Sequence, residues 1–166
     1  MDTQEKFELR PWQQVVLDFI EEHDELVNSE DLLSLSDYSR NDLTKIRIQL
    51  PRGAGQTTLA AYIADHYESA VLYRDMKHCE DIKRKYFLWR QYDGDTARKD
   101  FGAEFLSVYE LNYVATYPNV PMSNREELRN AIKGKKVVVV DNASFILPGV
   151  EDFLLSNATG VVIFLG

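Results

Sequence analysis

Two glycines set between a strand-like segment and a helix-like segment constrain this chain more than any other feature. Lys45-Ile46-Arg47-Ile48-Gln49-Leu50 alternates apolar with polar residues, the period-two pattern of a strand with one buried face. After Pro51-Arg52-Gly53-Ala54-Gly55 the stretch from Thr57 to His66 has helix-forming composition, with apolar Leu59, Ala60, Ile63 and Ala64. Similar alternation continues along the chain. Ala70-Val71-Leu72-Tyr73 suits a second strand, Lys77 to Arg90 a helix, and Phe105 to Tyr109 a third strand. Tyr117-Pro118-Asn119-Val120-Pro121 reads as a proline-marked loop, and Ser123 as the cap of a helix through Ile132, with Glu126 placed as in a capping box. An opening helix is expected from about Pro11 to Glu22, followed by an acidic, serine-containing insertion over Glu21 to Asp42. Strands separated by helices imply crossovers of one hand and a layered α/β domain, with a mostly parallel central sheet and helices on both faces.

The glycine turn has a chemical meaning as well. Gly53 and Gly55 let the backbone turn its N–H groups toward one point, and the helix N-terminus adds about half a unit of positive charge. Such a nest attracts phosphate. The stretch from Leu50 to Thr58 reads as a phosphate-binding loop, except that Gln56 stands where the loop lysine belongs. Thr57 falls where the loop hydroxyl reaches Mg²⁺, and Thr58 supports the first helical turn. Further on, Val137-Val138-Val139-Val140 ends in Asp141. A wholly apolar β-branched run suits a central strand covered on both faces. An acid at its C-terminal end then lies in the crevice where open α/β sheets bind ligands, and where a carboxylate for Mg²⁺ is needed.

Together these two motifs resemble the P-loop ATPases of the additional-strand, RecA-like class. Most closely they resemble the ATPase domain of large terminase subunits, the DNA-packaging motors of tailed phages, with helicases as the nearest relatives. The resemblance implies a three-layer P-loop domain spanning 1–166, with an N-terminal helix and acidic insertion over 1–44 and the core over 45–166. It implies ATP and Mg²⁺ as ligands, held by Gly53, Ala54, Gly55, Gln56, Thr57 and Thr58, with Thr57 and Asp141 at the metal. Arg52 falls on an arginine that terminase loops often carry, which serves as an arginine finger in cis or as a sensor of the γ-phosphate. Leu9-Arg10-Pro11-Trp12-Gln13 is similar to the family's adenine-contacting segment, so Gln13 is expected to read the base and Trp12 to pack beside it. Asn142 follows the acid at the position that in the family is usually a glutamate polarising the attacking water. Phe145-Ile146 matches the family's continuation, and Gly160 to Gly166 its next strand, which couples hydrolysis to DNA movement.

Two departures from that pattern weaken the chemistry. Gln56 donates only a neutral hydrogen bond, about half as strong as the charge-assisted bond of a lysine. Asn142 accepts no proton at neutral pH, and general-base help is commonly worth about 10²–10⁴-fold. Arg52 and Arg47 are candidates for replacement charge at the phosphates, and Glu151 and Asp152 for approach to the water site. Three functions stay open at this point: a motor ATPase that drives double-stranded DNA through an oligomer, a non-catalytic pseudo-ATPase acting as a regulatory or assembly module, and a helicase-type domain. Terminases continue beyond the position of Gly166 into further ATPase elements and a nuclease domain, so both a fragment and a trimmed relative fit the sequence.

Composition narrows the partners. The net charge of -8 opposes nucleic-acid binding at long range. Lys77 to Arg90 offsets it with five basic residues interleaved with Tyr86, Phe87 and Trp89, and Lys133 to Lys136 forms a second basic cluster. Such mixtures bind single strands; they also arise in an amphipathic helix with aromatics inward and lysines outward. The single cysteine, Cys79, excludes an internal disulfide and suits packing, and three scattered histidines offer no metal cluster. No apolar run approaches the roughly twenty residues of a membrane span, and the acidic start lacks a secretion signal. The expected setting is the cytoplasm of an infected host cell, without membrane contact.

Overall fold

The computed structural model describes residues 9–27, 45–49, 55–92, 102–116 and 122–166. Helix α1 (Pro11–Val27) precedes strand β1 (Lys45–Ile48), followed by α2 (Gln56–His66), β2 (Ser69–Tyr73), α3 (Met76–Tyr92) and β3 (Glu104–Ser107). Then come α4 (Val108–Thr116), α5 (Met122–Ile132), β4 (Val137–Asp141), a short 3-10 turn (Ala143–Phe145), α6 (Pro148–Asn157) and β5 (Val161–Leu165). The acidic stretch beyond 27, the loop residues Arg52, Gly53 and Ala54, and the proline-marked loop at 117–121 lie outside the described residues.

All five strands join one parallel sheet in the order β1-β5-β4-β2-β3. The valine run is central, flanked by β5 and β2, and every residue of β4 and β5 is buried. Alternate side chains divide between two cores. Val137, Val139, Ile163, Leu165 and Val71 pack with α1, α2 and α3, while Val138, Val140, Phe164, Ala70 and Leu72 pack with α4, α5 and α6. The result is three layers, helices on both faces of the sheet. Connections β1 to β2 and β2 to β3 run toward the β3 edge over the first face; β3 to β4 and β4 to β5 run back over the second. Direction and face reverse together, as a single crossover hand requires.

Three local expectations change. The third strand ends at Ser107, and Val108 and Tyr109 open α4, because Val108 and Leu111 bury against the second face at helical spacing. Helix α5 starts at Met122, so Ser123 lies inside its first turn and is not its cap. The opening helix runs five residues past Glu22, to Val27. Helix α3 is amphipathic: Cys79, Ile82, Tyr86 and Trp89 are buried, while Lys83, Arg84 and Phe87 face outward. Cys79 packs, as expected.

Candidate functional site

Because every strand is parallel, the carboxyl ends of β1, β4, β5 and β2 share one edge. Between β2 and β4 the following helices, α3 and α6, leave to opposite faces, which opens a crevice at that edge. The N-terminus of α2 points into the same region. Asp141 continues the alternation of Val137 and Val139, so its side chain turns toward α2 and α3.

There it is 1% exposed, and donors from three described residues reach its carboxyl oxygens. Oδ2 accepts the Thr57 hydroxyl at 3.1 Å and His78 Nε2 at 2.7 Å, and Oδ1 accepts the Asn142 N–H at 3.0 Å. A buried carboxyl group loses its hydration, and these donors replace it. His78 comes from the first turn of α3. Asp75 caps that helix, its Oδ1 accepting the His78 N–H at 2.9 Å. That bond, and then the Arg74 guanidinium at 3.0 Å, hold the Asp75 carboxyl below its ordinary value of 3.8. The His78 tautomer follows from its partners. Nδ1 accepts the Arg74 N–H at 3.2 Å, so the proton resides on Nε2 and is donated to Asp141.

The end of the glycine loop is held from α1. Gly55 adopts φ +92, where a side chain is strained, and a Cβ there would meet Gln13 Nε2 at 2.7 Å. Gln13 is buried, with Nε2 donating to Gly55 O at 2.8 Å and Oε1 accepting the Arg10 N–H at 2.7 Å. Its amide ties the start of α1 to the start of α2. Trp12 is partly buried against the first core. The Arg10 guanidinium also approaches, with Cζ and Nε 3.7 Å from the Cβ position of Gly55. Gln56 lies over the end of β5, its Oε1 3.3 Å from the Cβ position of Gly166. Thr58 accepts a hydrogen bond from Lys85 Nζ of α3 at 3.1 Å.

Of the residues expected from sequence, Gly55, Gln56, Thr57, Asp141 and Asn142 come together at this edge, with Thr58 and Gln13 immediately behind them. Arg47 and Glu151 do not join them. They pair with each other at 2.9 Å, Lys45 adding a second contact to Glu151 at 3.5 Å, beside the outer strand β1. His78 and Lys85 were not anticipated at the site, and Arg10 only as a member of the segment similar to the adenine-contacting one. For His78 the available signal was an aspartate three residues ahead of it at the end of a strand, the mark of a capped helix start.

The Thr57–Asp141 pair fits a magnesium ion. Ligand oxygens at about 2.0–2.1 Å in cis octahedral positions lie about 2.9 Å apart, against 3.1 Å here. Among the described residues no group of three or more His, Cys, Asp or Glu side chains is arranged for a metal. An ion held by this carboxylate and this hydroxyl would take its other ligands from phosphate and water, as magnesium prefers. No protein-family model and no curated protein sequence matches the chain. Among the described residues no helix is long and apolar enough to cross a membrane.

Proposed function

We propose that this chain is a P-loop domain of the terminase ATPase type, which binds ATP with Mg²⁺ at the junction of β1, α2 and β4 and hydrolyses it slowly as part of an oligomeric double-stranded-DNA motor. The observation that carries this assignment is the meeting of the Thr57 hydroxyl and the Asp141 carboxylate, 84 positions apart in sequence, at 3.1 Å in front of a helix N-terminus. Strand β5 adds support. It stands as an added strand between the loop-bearing strand and the acid-bearing strand. Thr57 and Asp141 would hold the ion, whose charge offsets the phosphates, while the amides of the α2 start orient them.

A second function, a non-catalytic module that binds nucleotide without turning it over, is favoured by what surrounds the attack position. Asn142 is no base, and both His78 nitrogens are engaged, Nε2 as donor to Asp141 and Nδ1 as acceptor from Arg74. Calorimetry with ATP and a non-hydrolysable analogue, with and without Mg²⁺, followed by a turnover assay with DNA, separates the two. Binding strengthened by Mg²⁺ with slow, DNA-stimulated turnover is expected of the motor. Binding without turnover leaves the module, and no binding of either nucleotide overturns both.

A further inference from the structure

Oδ1 and Oδ2 of Asp141 are each held by a donor from outside α2: the Asn142 N–H on one, His78 Nε2–H on the other. The Thr57 hydroxyl is the remaining donor. Its oxygen can turn lone pairs to a cation, whereas Nε2–H cannot ligate while Nδ1 accepts the Arg74 N–H. The three atoms form a triangle with sides of 2.7, 3.1 and 3.5 Å. A cation bridging Thr57 Oγ1 and Asp141 Oδ2 therefore enters on the side away from the ring.

We propose that His78 is the positioning residue of the magnesium site: its N–H fixes Asp141, and the ion arrives by replacing the Thr57–Asp141 hydrogen bond while the His78–Asp141 bond persists. The proposal rests on the functional assignment above. Its structural basis is the rigid seat of the histidine. Asp75 fixes the backbone of His78 and Arg74 fixes its ring, so the start of α3 brings a donor of defined direction to the end of β4. Removing an outer partner of a metal ligand commonly weakens metal affinity by about 10–100-fold.

The test titrates ATP into wild type, His78→Ala and His78→Gln, first in chelator and then across a range of Mg²⁺ concentrations. Melting curves establish that each variant folds. Expected for His78→Ala is unchanged Mg²⁺-free ATP affinity with a Mg²⁺ requirement raised about 10–100-fold; His78→Gln, which restores an N–H donor, recovers most of it. A Mg²⁺ requirement unchanged in His78→Ala overturns the proposal, and a lowered one identifies the ring as a competitor of the ion. Wild type that binds ATP without any Mg²⁺ enhancement overturns this proposal and the magnesium part of the functional assignment while leaving nucleotide binding, whereas wild type that binds no ATP overturns the functional assignment whole. Nitrogen NMR of wild type gives an independent readout. The Nε2-bound proton of His78 is expected to remain after Mg²⁺ and ATP are added, and its loss overturns the proposal.

Discussion

Asn142 is, among the described residues, the one non-glycine position with positive φ, at φ 57 and ψ 50. Asparagine tolerates that left-handed region, while a longer side chain without its local hydrogen bonds gives up roughly 1–2 kcal/mol there. The turn after β4 therefore selects against glutamate at 142 on backbone grounds, whatever the chemistry demands. Thermal unfolding is expected to find Asn142→Glu less stable than wild type by about 1 kcal/mol and Asn142→Gly at least as stable. Equal melting temperatures for the glutamate variant and wild type would remove the backbone explanation. Pairing has a comparable effect at Arg47 and Glu151. The cation that sequence offers to the phosphates and the acid it offers to the water site are taken up by each other at the outer strand, where a surface pair contributes only about 0–1 kcal/mol.

Helix α3 shows how an element fixes a site residue, and what the capping carboxylate does for it. The Asp75 carboxyl has its titration pulled down by the His78 N–H first and Arg74 second. A depressed carboxylate stabilises the fold above its ordinary value of 3.8 and loses that contribution as pH falls through the lower, folded value. Asp75→Ala is thus expected to melt below wild type at neutral pH, with the gap closing in acid; a gap independent of pH would show that the cap bond does not depend on ionisation. The same helix marks the limit of what sequence conveys. The β4 run was legible because four β-branched residues in succession permit little besides a covered strand, and Thr57 because glycine spacing fixes the loop register. Phe105 to Tyr109 was not, since a short apolar run fits strand and helix alike until the burial of Val108 and Leu111 against the second face of the sheet decides it. His78 was not, because its partner lies 63 positions away and is reached only through the β2–β4 crevice. Gln13 was expected only from the resemblance of residues 9–13, and its bonds to Gly55 and Arg10 depend on how α1 docks on α2.

For the molecule as a whole, stability concentrates where both sheet faces are covered. β4 and β5 are buried throughout, whereas β1 and β3 keep partly exposed residues at the two edges. Native-state hydrogen exchange is expected to be slowest in β4 and β5 and faster in β1 and β3, in line with cooperative opening from the edges. Uniform protection across all five strands would mean that the sheet opens only as one unit. Gly160 contributes to that centre by allowing close approach, since a Cβ there would lie 2.1 Å from the Lys136 carbonyl.

The position of β5 sets a ruler between the strand that leads into the glycine turn and the strand that ends in the acid. One strand's width on either side of it, about 4.8 Å each, spaces the glycine loop from the acid. That interval is a property of backbone hydrogen bonding and not of the chain joining Thr57 to Asp141. Lengthening the surface connections between them leaves the gap unaltered, whereas displacing a single strand from the middle of the sheet closes it.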